Sequence, residues 1–246
     1  MNEAIVKPQK KKRTPKNAAN NVHQDFLGEV DMTPRVNRSE LSQWFTPPGI
    51  AARMARWAAE ALPNTLGTRI LEPAGGAGAL VRAMVDAWPW CANIDVHEID
   101  PVHTLILRRF AEEHCDTDEI VVFEGDFLTA IRRERMYDVA LMNPPYEGGL
   151  DGLFLEACMT VSNAVVILIR SAALHGSERG RRIWKRCQPG GEWVVTRCAH
   201  LIDRPDFEGS GAVKATEGAK SEFSVVQMRR RRDTDPVHVP TLLEWW

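Results

Sequence analysis

The sequence predicts an α/β fold, a doubly wound and mostly parallel sheet with an antiparallel strand at its edge. Three observations predict it. Short apolar runs alternate with helix-patterned stretches from residue 69 onward, as parallel strands joined by crossover helices require. A glycine-rich turn, Gly75 to Gly78, follows the first strand run directly and opens a helix. The last two strand runs have no helical stretch between them, which suits an antiparallel return.

Taken in order, Thr46-Pro47-Pro48 followed by Ile50, Met54, Trp57, Ala58 and Ala61 marks a helix start with an apolar stripe. Proline fits the first helical turn, where its missing amide would have had no acceptor. Arg69 to Glu72 then reads as a strand, Gly78 to Ala87 as a helix, Ile94 to Ile99 as a strand and Val102 to His114 as a helix. Glu119 to Glu124 and Tyr137 to Met142 read as strands, and Gly152 to Thr160 as a helix. Val165 to Arg170 is the most apolar strand run, so it belongs at the centre of the sheet, buried on both faces. Glu178 to Cys187 is patterned as a helix, Trp193 to Cys198 as a strand, and Ser221 to Met228 closes the series. The division expected is a basic tail over 1–40 that lacks periodicity, a catalytic domain over 41–228 and a basic, apolar C-terminal tail over 229–246. The apolar Val239 to Trp246 is expected to pack back on the core.

Composition excludes several classes. Of 246 residues 44% are hydrophobic and 26% charged, enough apolar material for one sizeable core. The longest strongly apolar run, Ala164 to Ile169, is far short of the ~20 residues a membrane span needs. No secretory pattern opens the chain, so a cytoplasmic address and no membrane partner are expected. The net charge of −2 is uninformative, but Lys7, Lys10, Lys11, Lys12, Arg13 and Lys16 cluster, as do Arg229 to Arg232. Such runs attract phosphate and are equally common as solvated tails. Five cysteines without a Cys-x-x-Cys pair fit reduced thiols better than a zinc site or a disulfide frame, and no metal is expected.

Four segments carry chemistry. The first is Glu72-Pro73-Ala74-Gly75-Gly76-Ala77-Gly78, at the carboxyl end of a strand, where glycine lets a backbone approach a bound cofactor closely. A dinucleotide fingerprint counted from Gly76 would want glycine at Val81. An acidic residue ahead of the glycines instead suits a ligand with a cationic amino-acid end, as S-adenosylmethionine has. In the second segment, Glu98 lies 20 residues past Gly78 at the next strand end, placed to accept both ribose hydroxyls, with Ile99 able to pack on an adenine face. His97 beside it reads as a strand residue. Third, Asp126 in Gly125-Asp126-Phe127 suits either the exocyclic amine of an adenine or the cap of a helix. Fourth, Asn143-Pro144-Pro145-Tyr146 follows a strand; its prolines offer carbonyls and no amide donors, Asn143 adds a side-chain acceptor and Tyr146 an aromatic face. Together these suit a flat substrate bearing an NH2 group.

On these motifs the chain resembles the class I S-adenosylmethionine-dependent methyltransferases that methylate amino groups in DNA, most closely the adenine-N6 enzymes with the gamma order of motifs. Gln43 to Pro48, Glu72 to Gly78, Glu98 to Asp100, Asp126-Phe127 and Asn143 to Tyr146 follow in family order. The resemblance covers roughly residues 41 to 228 and implies a Rossmann-like methyltransferase sheet with S-adenosylmethionine as cofactor. It implies that Thr46 and Glu72 hold the methionine end beside Pro73, Ala74, Gly76 and Gly78, Glu98 and Ile99 the ribose side, and Asp126 and Phe127 the adenine. Asn143 and the Pro144 carbonyl would accept the two N6 hydrogens, within the rigid Pro144-Pro145 turn. Tyr146 would stack on an extruded base, with Phe207 a candidate for its other face.

No long insertion separates the motifs, and the chain ends about twenty residues after its last strand run. Loose specificity, or a separate specificity subunit, is therefore expected, with 172–182 (Arg179, Arg181, Arg182) and 203–222 as the loops available for base readout. The same core would serve an RNA adenine methyltransferase, a protein glutamine-N5 methyltransferase or a cofactor-binding scaffold subunit. The segment around Thr46 and the basic runs favour nucleic acid, DNA before RNA. An intact Asn143 to Tyr146 segment speaks against a scaffold. Cytosine-C5 chemistry is set aside because the sequence has no Pro-Cys nucleophile.

Overall fold

The computed structural model describes residues 45–62, 67–88, 93–114, 119–131, 136–203, 205 and 222–246. The tail over 1–40, Phe207 and nearly all of the 203–222 loop lie outside the described residues. Helix α1 (Pro48–Glu60) is followed by β1 (Arg69–Glu72), α2 (Ala79–Ala87), β2 (Asn93–Glu98), α3 (Pro101–His114) and β3 (Ile120–Glu124). Then come α4 (Phe127–Ala130), β4 (Tyr137–Met142), α5 (Leu150–Val161), β5 (Ser162–Arg170), α6 (Ser177–Arg182), β6 (Trp193–His200), β7 (Phe223–Arg230) and β8 (Leu242–Trp245). Strand order in the single sheet is β3-β2-β1-β4-β5-β7-β6-β8.

All neighbouring strands pair in parallel except β7, which runs antiparallel to both β5 and β6. The antiparallel strand expected at the sheet edge is β7, which lies towards that edge with β6 and β8 outside it. β5 is central, and Ala164 to Ile169 are all buried. Their side chains alternate between two cores, as the period of two demands. Val166 and Leu168 join Met54, Trp57, Met84, Leu107 and Phe110 under α1, α2 and α3. Val165, Ile167 and Ile169 join Phe154, Leu155, Met159 and Trp193 on the α5 side. Each large aliphatic side chain buried this completely contributes about 1.5–3 kcal/mol, so the central strands anchor the sheet.

Two expectations need correction. The helix expected over Glu178 to Cys187 is two short pieces, α6 and a 3-10 turn over Trp184–Cys187, broken at Ile183. Gly180 weakens the helix, the Ile183 side chain is drawn into the core, and Trp184 donates its indole N–H to the Ala173 carbonyl at 3.1 Å. Three side chains of the Arg229 to Arg232 run, those of Arg229, Arg230 and Arg231, are also bound within the fold. Arg229 pairs with Asp235 through both guanidinium nitrogens at 2.6 and 2.8 Å. Arg230 donates to the Met159 and Ser162 carbonyls and covers the Trp193 ring, and Arg231 donates to the Gly191 and Pro236 carbonyls. The C-terminal segment returns to the sheet: β8 pairs with β6, and Trp246 packs edge-on against Trp57 with centroids 4.6 Å apart.

Candidate active site

The carboxyl ends of β1, β2, β3 and β4 converge where the strand order reverses, and a cavity of about 250 Å³ opens there. Its walls are the glycine turn after β1 (Pro73, Ala74, Gly76), Glu98 and Ile99 after β2, Gly125 to Leu128 after β3, and Asn143, Pro145 and Glu147 after β4. Phe45 closes one side, with Leu150 and Phe154 from α5 opposite. Two wider depressions exist on the surface. A 990 Å³ groove between α1 and α2 is lined mainly by alanines with charges on its rim. A 760 Å³ cleft runs along Arg170 to Arg179 and Glu222. Neither is lined by the glycine turn, as the smaller cavity is.

The glycine turn divides its work. Gly75 is a spacer: its N–H donates to the His97 carbonyl at 2.8 Å, and a Cβ there would lie 2.6 Å from Val96 and 2.8 Å from Leu107. Gly76 (φ +52°) and Gly78 (φ +85°) take left-handed conformations that disfavour side chains, and a Cβ on Gly76 would stand 3.4 Å from the Phe45 ring. Gly78 is the N-cap of α2 and lies outside the cavity lining.

Glu98 ties this turn to β2. Its two oxygens accept the Gly76 N–H at 2.5 Å and the Asp100 N–H at 2.8 Å. Burial raises its pKa, those two amides oppose the shift, nearby His103 lowers it and Asp100 raises it. Beneath Ala74, Glu72 is completely buried. Oε1 accepts the Ala74 N–H at 3.2 Å, whereas Oε2 has no partner among the described residues. Burial pushes the Glu72 carboxyl well above the usual range; the Ala74 amide opposes this and the charge of Glu98 adds to it. An orphaned buried carboxylate oxygen beside a cavity is the complement of a cationic group.

Asp126 stands at both a helix start and the cavity wall. It caps α4 by accepting the Leu128 N–H at 3.0 Å, and it lines the cavity. Phe127 is buried and packs on Phe154 with centroids 5.6 Å apart. His97 stacks on Phe123, as befits a strand residue.

The Asn143 to Tyr146 segment departs in one respect from the expected arrangement. Asn143 and Pro145 line the cavity, while Pro144 is buried behind them. The Asn143 Nδ2 donates to Thr46 Oγ1 at 3.0 Å, and its Oδ1 accepts the Tyr146 hydroxyl. Tyr146 does not offer a stacking face to the cavity. Its ring is 3% exposed, edge-on to Phe223 and under the Arg170 guanidinium, and its oxygen also lies 3.2 Å from the Leu168 carbonyl. Interior acceptors for the hydroxyl draw the ring inward. Burial, then the charge of Asp151, pushes its pKa well up against the opposing effect of Arg170, so the phenol stays neutral. Arg170 also donates to the Tyr146 carbonyl at 2.5 Å. Of the arginines proposed for readout, Arg179 is held by Asp151 and Arg182 by Glu156 and Glu178; Arg181 has no partner among the described residues.

Sequence reasoning missed Phe45, Leu128, Glu147, Leu150 and Phe154 as lining residues. Phe45 was signalled by its place beside Thr46. The α5 residues had no local signal, because their apolar pattern is that of any core-facing helix. Among the described residues no cluster of His, Cys, Asp or Glu could hold a metal, and no helix is long and apolar enough to cross a membrane.

No protein-family model matches the chain. Over 127 residues it is 28% identical to the type II methyltransferase M.AccI of Acinetobacter calcoaceticus. That match takes in 52% of the chain but spans only 22% of the length of this curated relative. Among solved structures it is similar to a Listeria monocytogenes protein assigned to the class I S-adenosylmethionine-dependent methyltransferases. The TM-score is 0.64 and the identity 14%, over 82% of this chain and 65% of that one. The methyltransferase subunit of a type I restriction-modification system from Streptococcus thermophilus gives a TM-score of 0.62 at 14% identity, over 79% of this chain and 47% of that one. The fold is the Rossmann-like sheet of class I methyltransferases.

Proposed function

We propose that the protein transfers a methyl group from S-adenosylmethionine to the N6 amine of adenine in DNA, with loose or partner-supplied sequence specificity. The observation that carries the reading is Asn143 on the wall of the same cavity that Gly76, Glu98 and Asp126 line, with the orphaned Glu72 carboxylate beneath it. The 28% identity to a type II methyltransferase and the likeness to a restriction-modification subunit support a DNA substrate. The shared fold alone does not choose among substrates.

The donor set fits the cofactor. Glu72 Oε2 would take its ammonium end, Glu98 its ribose hydroxyls, and Asp126 its adenine amine, with Ile99 and Phe127 flanking the ring. Bound there, S-adenosylmethionine supplies an electrophilic sulfonium methyl, which an amine lone pair takes as the carbon–sulfur bond breaks. The chain's own contribution is on the nucleophile. The adenine N6 lone pair is delocalised into the ring, so acceptors for both its hydrogens, the Asn143 side chain and the Pro144 carbonyl, return density to nitrogen. Positioned acceptors in a site shielded from water supply most of such a rate enhancement. The nitrogen, cationic after transfer, loses a proton to solvent. In a duplex the base must first be extruded, at a cost of a few kcal/mol. Tyr146, buried as it is, serves here by holding Asn143.

The test is transfer of labelled methyl groups to duplex DNA, single-stranded DNA, total RNA and a protein extract, with Asn143→Ala as control. Label recovered as N6-methyladenine in DNA and lost in the variant is the expected result. Label confined to RNA or protein would overturn the substrate, and absence of cofactor binding would overturn the reading entirely.

A further inference from the structure

We propose that Thr46 is a positioning residue for Asn143: its hydroxyl takes one end of the Asn143 amide, Tyr146 takes the other, and the two together hold the amide in place at the cavity wall. This rests on the transfer reading above and differs from the role in holding the methionine end that the sequence resemblance implies for Thr46.

The geometry is specific. Thr46 and Asn143 are 97 residues apart, yet Nδ2 and Oγ1 meet at 3.0 Å. Thr46 is 6% exposed and Tyr146 3%, so both hydroxyls that meet the amide are withdrawn from water. A side-chain amide can turn over, exchanging its oxygen for its nitrogen, with little change in shape. Neither hydroxyl chooses the end by itself, since each can donate to Oδ1 or accept from Nδ2. What two buried hydroxyls at opposite ends fix is the position and plane of the amide, because any other rotation leaves one end unpaired and burial raises that penalty.

Thr46 is also well placed to connect two sites. Its neighbour Phe45 lines the cofactor cavity and faces Gly76, and Pro47-Pro48 starts α1, whose Met54, Ala55 and Ala58 are fully buried. The short segment before α1 therefore touches the cofactor cavity through Phe45 and the acceptor through Thr46. A rigid anchor of this kind holds an amide better than a solvent-exposed loop.

The full-length chain is compared as wild type, Thr46→Val, Thr46→Ser and Tyr146→Phe. Cofactor affinity is measured by calorimetry, and kcat and KM for DNA at saturating cofactor. The Asn143 side-chain amide is followed by 15N NMR, its signals assigned by their loss in Asn143→Asp. Valine keeps the shape and removes the hydroxyl. Thr46→Val is expected to lower kcat about three- to tenfold, the worth of one hydrogen bond, with cofactor Kd within twofold. It should shift the Asn143 amide signals, and Thr46→Ser should restore both. Tyr146→Phe should shift the same signals from the other end. A cofactor Kd weakened tenfold with kcat intact at saturation would overturn the proposal and leave Thr46 a cofactor ligand. Unchanged Asn143 signals in folded Thr46→Val would overturn it too. If the wild type methylates nothing, the transfer reading falls, and the NMR comparison still decides whether Thr46 holds Asn143.

Discussion

Replacing Glu72 by glutamine separates the two demands on this carboxylate, stability and cofactor binding. The side chain is fully buried, and among the described residues Oε1 has one weak amide partner and Oε2 has none. Burial, augmented by Glu98, raises its pKa well above the unfolded value. The folded protein without cofactor therefore holds this proton when the unfolded chain has released it. Stability must then fall as pH rises from the unfolded pKa, near 4.5, towards the raised folded one. Glu72→Gln cannot titrate, so its melting temperature should vary less over that window and exceed that of the wild type at its upper end. Cofactor binding should move the other way. A hydrogen bond to a charged group contributes roughly 1.5–3 kcal/mol, so the variant should bind S-adenosylmethionine about ten- to a hundredfold more weakly. Wild-type affinity should rise with pH through the same window, because binding a cation ionises Glu72 and releases its proton, whereas the variant's affinity should stay flat. Calorimetry in buffers of different ionisation enthalpy counts that proton, and scanning calorimetry gives the stability slope. Binding of the variant within twofold of wild type, or identical pH slopes for the two proteins, would refute the reasoning.

Three further outcomes follow from packing and charge. Gly75→Ala drives a Cβ into Val96 and Leu107, so it should destabilise by about 1–3 kcal/mol, seen as a melting temperature lower by roughly 3–10 °C, although Gly75 lies outside the cavity lining. Arg179→Ala leaves Asp151 buried without its bidentate partner at 2.8 and 3.1 Å. The expected loss is about 3 kcal/mol, the low end for a buried pair because Arg179 is 26% exposed, or roughly 6–12 °C by thermal melt; Arg182→Ala, on the surface, should melt near wild type. Trp246→Ala removes an aromatic contact with Trp57 and should lower stability by about 1–2 kcal/mol in urea titration; an unchanged midpoint would mean that β8 does not anchor the C-terminus.

The sequence by itself determined the layered α/β architecture and the order of its chemical segments, because both are local. Alternating strand and helix periods survive in any context, and Ala164 to Ile169 is too apolar to lie anywhere but the centre of the sheet. The glycine turn, Glu98, Asp126 and Asn143 were legible for the same reason: each follows a strand, and parallel strands bring their carboxyl ends together. What only the tertiary structure decided depends on partners remote in sequence. Arg229 to Arg232 read as either a phosphate-attracting run or a solvated tail, but carbonyls and a carboxylate supplied by the fold take up the side chains of Arg229, Arg230 and Arg231. Tyr146 read as an exposed platform, and Asn143, Leu168 and Phe223 turned it inward. Glu72 was legible as the acidic residue suited to a cationic end; only the fold showed it completely buried, with Oε2 unpartnered among the described residues. Periodicity records which face of an element is apolar, whereas the partner of a buried polar atom is fixed only when distant segments meet.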